Sequence, residues 1–243
     1  KLLGDAHPEV GKTIDYLLDT LLTKQGKLTE AEQRAREALA IRREHLGESA
    51  EVESTLSILA AVLRAQGKTA EAEPLERERL EYWQKQLGTA ATTEQRVQIH
   101  FKLFSLLLHA GQVEQAKASC REALSLNLTE ASAEEFNNCA WHLAIYANPT
   151  ERDPALAVKL AEKAVALSPQ DWTIWNTLGV ALYRAGEYRR AVADLEKSVQ
   201  LNAKGGHGTD FFFLAMAHHR LGETGAASQS YEKGVQWMDQ KAP

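Results

Sequence analysis

Two adjacent histidines, His218 and His219, are the residues whose types could most readily bind a metal ion. Imidazole nitrogens are common zinc ligands. Adjacent residues of a helix project about 100° apart, however, so the two rings cannot easily share one ion. The sequence therefore predicts a buried His218 and a solvent-facing His219. It predicts no metal site and no cofactor.

Two arginines, Arg184 and Arg220, could instead bind an anion. They lie 36 residues apart, each near the end of a segment with helical periodicity. A guanidinium group binds a carboxylate through two parallel hydrogen bonds. The pair could therefore form a cationic strip for an acidic peptide or a C-terminal carboxylate. Arginine near a helix C-terminus also complements the helix dipole, which is the alternative explanation.

Catalytic motifs are missing from the sequence. It contains no GxSxG elbow, no HExxH pair, no P-loop and no HRD or DFG motif. We therefore predict that this chain is not an enzyme. Cys120 and Cys139 lie in apolar helical patterns without metal-ligand spacing, and we expect them to be reduced core residues, a disulfide between them being the alternative.

Charge and hydropathy narrow the classes of partner. The formal net charge is −5, which disfavours nucleic acid because phosphate binding needs a basic face. No apolar run approaches the roughly 20 residues of a spanning helix, so we predict no membrane insertion and a cytoplasmic location. The chain opens at Lys1 within a repeat pattern, and we expect it to be part of a longer protein.

The elements that position these residues come from one unit that occurs six times. An alanine marks each copy, at spacings of 41, 44, 41, 34 and 36 residues, and a glycine precedes five of these alanines by five residues. The marker alanines are Ala31, Ala72, Ala116, Ala157, Ala191 and Ala227. Periods of this size indicate a solenoid, in which each repeat packs on its neighbours.

The clearest copy, residues 171–202, has two helical stripes separated by a break at Gly186. Gly179 and Ala191 place almost no side chain where the two helices should cross, which permits close packing. The sequence thus predicts an all-α solenoid of about six helical hairpins and about twelve helices. The predicted repeats cover 1–90 (two longer repeats), 91–128, 129–170, 171–205 and 206–243, in one continuous solenoid.

This unit resembles the tetratricopeptide repeat (TPR) family, whose pattern is W-x2-L-G-x2-Y, then A-x3-F, then P. The matching positions are Trp175, Leu178, Gly179, Ala191 and Leu195. Leu182 departs from the tyrosine and Ala203 from the proline. The resemblance covers nearly the whole chain and implies a right-handed superhelix.

Two narrower resemblances divide the chain. The longer N-terminal repeats, with segments such as QGKLTEAEQRAREALAIRREHLG, are similar to those of kinesin light chains. The C-terminal repeats, with TLGVALYRAGEYRRAV, are similar to the repeat tails of planctomycete-type bacterial serine/threonine protein kinases. The second resemblance implies a kinase domain on the N-terminal side of this segment, in a larger bacterial signalling protein.

The TPR resemblance also implies that the first helix of each hairpin lines a concave groove. Asn138 matches a position where family members often carry an asparagine that binds a peptide backbone, and Asn176 is one residue out of that register. The candidate groove residues are Asn137, Asn138, Trp141, Asn176, Tyr183, Arg184, Phe212, Met216, His219 and Arg220.

Three consecutive aromatics, Phe211, Phe212 and Phe213, cannot all lie on one helical stripe. We expect Phe211 to face its own partner helix. Phe212 and Phe213 should meet the preceding repeat, the concave surface or another molecule.

These observations favour a protein-interaction scaffold that binds an extended peptide or a partner helix in the groove. Homo-oligomerisation is the second hypothesis, because the last helix ends in the apolar pair Trp237 and Met238. A small-molecule sensor is the third, and depends on an aromatic cluster around Phe212 and Trp141.

Overall fold

The computed structural model describes residues 27–126, 133–146 and 148–240. Within these ranges the chain forms eleven α-helices and one short 3₁₀ helix, and no strand. The prediction of an all-α fold built from helical hairpins is confirmed. The first helix of the first predicted repeat falls within residues 1–26, outside the described residues. The chain divides into two compact units, residues 1–112 and 113–243.

The first unit contains four described helices. They are α1 (Leu28–Leu46), α2 (Ala50–Ala65), α3 (Thr69–Thr89) and α4 (Thr93–His109). Each helix packs against the next one in the chain. Ala31 and Ala72 are fully buried in a core that Leu56 and Leu63 fill, so the marker alanines of these two repeats lie where helices approach closely.

The described part of the second unit contains seven α-helices. They are α5 (Val113–Ser125), α6 (Ala133–Ile145), α7 (Pro154–Leu167), α8 (Trp172–Ala185), α9 (Tyr188–Leu201), α10 (Gly208–Arg220) and α11 (Thr224–Asp239), with the 3₁₀ helix at Pro149–Glu151. From α6 onward each helix packs on its successor. In addition, α8 contacts both α6 and α10.

The α8–α9 hairpin shows why these residue types are needed. A Cβ atom at Gly179 would lie 2.5 Å from Cγ of Leu195, so only glycine permits this crossing distance. Gly186 ends α8 in the left-handed conformation, with φ of 84°, and its amide bonds back to the last turn. The predicted crossing and the predicted turn are both confirmed.

One helix start differs from the one that the sequence suggests. Thr29 and Glu32 have the spacing of a capping box, but α1 begins at Leu28 after Lys27 and has no side-chain cap. Ser132 has the same spacing from Glu135 but lies outside the described residues. Pro154 occupies the first turn of α7, where its missing amide hydrogen has no consequence.

The two cysteines, Cys120 and Cys139, are free and buried, as expected. Burial, followed by the neighbouring Cys120 thiol, raises the pKa of Cys139. Cys139 is therefore a neutral thiol near neutral pH, and a poor nucleophile.

Candidate peptide-binding surface

The C-terminal ends of α8 and α10 carry two arginines that stack on aromatic rings. Cζ of Arg184 lies 5.5 Å from the ring centroid of Phe213, and Cζ of Arg220 lies 4.9 Å from that of Tyr188. Both distances are within the range of cation–π attraction. Each arginine stacks on a ring from the other hairpin, so these contacts link the α8–α9 and α10–α11 hairpins.

Tyr183 connects the two stacks. Its ring centroid is 5.6 Å from that of Tyr188 and 5.4 Å from that of Phe213, the second contact being edge-to-face. We call these five residues the arginine–aromatic cluster: Tyr183, Arg184, Tyr188, Phe213 and Arg220. Stacking holds each guanidinium plane in place and leaves its N–H edges available to a ligand.

Neither arginine of the cluster has a carboxylate within ion-pair distance in the described part of the chain. Arg190 on α9 contrasts with them, because it pairs with both Glu162 and Glu187. Burial, followed by the charge of Arg152, lowers the pKa of Arg184. An arginine remains a cation even so. The cluster is therefore a site whose positive charge has no carboxylate partner among the described residues.

An open groove of about 600 Å³ adjoins this cluster and runs between α10 and α11. We call it the C-terminal groove. Its lining residues are Tyr183, Phe212, Ala215, Met216, His219, Arg220, Ala227, Ser228, Tyr231 and Glu232. Tyr183 and Arg220 belong to both the groove and the cluster. The C-terminal groove therefore ends beside two arginines that have no carboxylate partner in the described residues.

One of the three consecutive phenylalanines points in a direction that differs from the prediction. Phe212, not Phe211, faces the partner helix, where its ring packs over Gly234 and 6.1 Å from that of Tyr231. Phe211 packs in a core with Leu195 of the preceding hairpin. The expected direction of Phe211 is therefore wrong. Phe212 lines the C-terminal groove and packs against α11, where Gly234 leaves space for its ring. Phe213 meets the preceding repeat, as expected.

Five of the predicted groove residues line the C-terminal groove: Tyr183, Phe212, Met216, His219 and Arg220. Asn176 does not face an open surface, and that expectation is wrong. It is 7% exposed, and its Nδ2 donates to Oδ1 of Asp210 at 2.6 Å. Asp210 belongs to α10, the first helix of the next hairpin, which packs on α8.

The remaining predicted residues, Asn137, Asn138 and Trp141, lie on α6. Asn138 is exposed and Trp141 is half-buried. Within the described residues, no ring contact, ion pair or hydrogen bond joins these side chains to the cluster. Phe212 pairs with Tyr231 rather than Trp141, so the aromatic cluster that motivated the small-molecule hypothesis does not form.

The adjacent histidines have separate environments. The side chain of His218 is 12% exposed, and its Nδ1 lies 2.6 Å from Oε2 of Glu223, whereas His219 is exposed in the groove. Over the described ranges no three His, Cys, Asp or Glu side chains are placed to hold a metal ion.

The predicted groove residues did not include Tyr188 and Phe213, the two rings of the cluster on which Arg220 and Arg184 lie. The sequence also assigned no role to His207. In the structure His207 accepts a hydrogen bond from the Thr209 amide, and its ring lies edge-on to that of Trp237 with the centroids 4.5 Å apart. One available signal was Asp210 three residues later, because that spacing is typical of a capping box.

Comparisons with known proteins identify the repeat. A family model described as Tetratricopeptide repeat matches residues 2–85, and a second with the same description matches residues 172–204. These two segments are similar to tetratricopeptide repeats. These two models do not distinguish kinesin light chains or kinase tails from other TPR proteins, so both narrower resemblances stay predictions.

Individual TPR relatives share the fold at low sequence identity. The chain superposes on PilW, a type IV pilus biogenesis factor, with a TM-score of 0.66 and 16% identity, covering 93% of this chain and 92% of that one. For YrrB, a TPR protein with an unusual peptide-binding site, the TM-score is 0.53 at 16% identity, with 82% and 91% covered. A segment of 72 residues is 35% identical to the Hsp70-Hsp90 organizing protein of Triticum aestivum. That segment is 30% of this chain and only 12% of the wheat protein.

None of the helices in the described ranges is both long enough and apolar enough to cross a lipid bilayer.

Proposed function

We propose that this chain is a non-catalytic protein-interaction module whose arginine–aromatic cluster binds an acidic, extended segment of a partner protein. The observation that carries the proposal is the pair of stacked arginines, Arg184 and Arg220, which lack carboxylate partners in the described chain. Stacked guanidinium groups are well suited to bind a carboxylate through two hydrogen bonds. YrrB, which shares the fold, is itself described as peptide-binding.

The adjoining groove defines the rest of the ligand. Phe212 and Met216 give it apolar walls, whereas Arg220 lies at the cluster end. A peptide with acidic residues next to an apolar one would satisfy both parts. The charge also predicts the salt response, because the attraction of exposed cations to a carboxylate is screened by added salt.

A binding titration tests the proposal. The probe is a fluorescein-labelled peptide of alternating Glu and Leu with a free C-terminal carboxylate, measured by fluorescence anisotropy. Replacing both arginines by alanine should weaken binding by at least about tenfold, as expected when charge-assisted hydrogen bonds are lost. Arg189→Ala is the matched control, because Arg189 is an exposed arginine on α9 outside the cluster.

Further probes separate charge from shape. A peptide with Gln in place of Glu should bind weakly, and a C-terminal amide reports how much the terminal carboxylate contributes. Equal affinity for the Glu and Gln peptides would show that the cluster does not recognise negative charge. So would a loss of affinity in Arg189→Ala equal to that in the double arginine variant.

We propose in addition that the segment is the accessory region of a larger bacterial signalling protein, such as a serine/threonine kinase. The support is the similarity of the C-terminal repeats to kinase tails. The sequence of the parent gene upstream of Lys1 tests it, because a kinase would carry glycine-rich-loop, HRD and DFG motifs there.

A further inference from the structure

The C-terminal groove leaves apolar side chains in solvent. Met216 on α10 is 36% exposed and Tyr231 on α11 is 57% exposed. The residues 36 positions earlier in the chain, Val180 and Leu195, are completely buried. The difference arises because α10 packs on both α8 and α9, whereas in the described chain no helix packs in the same way on α10 and α11.

We infer that this groove docks against the same groove of a second copy of the chain, end to end about a two-fold axis. A two-fold contact uses one surface twice, so the surface must be complementary to itself. The groove meets this requirement in shape. The α11 side carries the small residues Ala227 and Ser228, which can receive the larger, exposed Met216 of the other copy.

The charges of the groove meet the same requirement. Arg220 lines it from α10 and Glu232 from α11, yet no ion pair joins them within the chain. Glu232 has no ion-pair partner elsewhere in the described residues. A two-fold arrangement that places α10 opposite the other copy's α11 brings each arginine next to a glutamate. This charge pattern favours a second copy over an unrelated helix.

Sedimentation velocity on the whole chain tests the inference. We expect a concentration-dependent monomer–dimer equilibrium, which Glu232→Arg should weaken by about tenfold because like charges then meet. Glu196→Arg is the matched control, since Glu196 is exposed at the same position one repeat earlier and lies outside the groove. It should leave the equilibrium unchanged.

Mixing two charge-reversed variants gives the sharpest result. Arg220→Glu and Glu232→Arg should each dimerise about tenfold more weakly than wild type when alone, because both charge pairs in each homodimer become repulsive. An equimolar mixture should form a heterodimer in which both pairs are attractive again. A wild-type chain that stays monomeric throughout the micromolar range would overturn the inference. So would a dimer that tolerates Glu232→Arg, or a mixture that does not associate.

Arg220 also belongs to the arginine–aromatic cluster, so the two proposals are separated by Arg184. Arg184→Ala should reduce acidic-peptide binding and leave dimerisation intact, whereas Glu232→Arg should do the reverse. The peptide and the second copy share the C-terminal groove, so each should compete with the other. A loss of both properties in both variants would overturn the docking arrangement.

Discussion

The side-chain amide of Asn176 donates a 2.6 Å hydrogen bond to Asp210, and both residues are buried. The other carboxylate oxygen of Asp210 accepts from the His207 amide at the start of α10. Through Asp210, Asn176 of α8 is thus hydrogen-bonded to the N-terminal cap of α10, the first helix of the next hairpin. This contact sets the position of α10, and with it Phe213 and Arg220.

Asn176→Ala should destabilise the second unit by about 1–3 kcal/mol, because a buried carboxylate oxygen loses its donor. Urea unfolding followed by circular dichroism measures the change. Asn138→Ala is the control, since Asn138 is exposed on α6. Equal losses in the two variants would mean that the bond to Asp210 contributes nothing specific.

Gly179→Ala should destabilise the α8–α9 hairpin by about 1–3 kcal/mol through overpacking, since the new methyl group would meet Leu195. The double variant Gly179→Ala with Leu195→Ala should lose less than the sum of the two single losses. Gly225→Ala provides the comparison, because a Cβ there meets nothing within 4 Å. A neutral Gly179→Ala would contradict the predicted close crossing.

His207→Ala should lower the unfolding free energy by about 1–2 kcal/mol, because it removes both the cap of α10 and the stacking on Trp237. His207→Asn keeps a side-chain acceptor for the cap and loses only the ring. Its stability should therefore lie between wild type and His207→Ala, as measured by thermal unfolding. Identical stabilities of the two variants would assign the whole effect to stacking.

The carboxyl group of Asp194 on α9 should make the free energy of unfolding depend on pH. Burial raises the pKa of its carboxyl above the usual value, and Glu162 adds to this, whereas Arg190 opposes it. The folded chain thus holds this proton more tightly than the unfolded chain. The resulting stabilisation is complete below the unfolded pKa, about 3.9, and is lost as pH rises through the folded value.

Asp194→Asn should accordingly raise the unfolding free energy at neutral pH and change little below the unfolded pKa. Chemical denaturation at both pH values measures this, with Asp239→Asn as the control because Asp239 is exposed on α11. A loss of stability at neutral pH would mean that the attraction to Arg190 outweighs burial.

Local features of the repeat were predictable because their causes lie within a few residues. The turn depends on the backbone freedom of Gly186, and the helix crossing depends on the small size of Gly179. Both properties follow from the residue type alone. Pro154 likewise marks a helix start by its own chemistry.

Contacts between repeats were harder to predict. Asn176 lies on a helix face that periodicity alone assigns to solvent, and its burial depends on Asp210, 34 residues later. The directions of Phe211 and Phe212 depend in the same way on Leu195 and Gly234, which belong to other helices. The arginine–aromatic cluster combines residues of two hairpins and has no signature in either one.

Because the cluster takes Tyr183, Arg184 and Tyr188 from one hairpin and Phe213 and Arg220 from the next, it exists only while α10 and α11 are docked. Among the described helices this hairpin has a neighbouring hairpin on one side only, and such elements open more readily than those packed on both sides. The apparent affinity for a ligand then equals the intrinsic affinity multiplied by the docked fraction. Fraying of this single hairpin would therefore weaken ligand capture in proportion to the fraction of chains in which it is undocked.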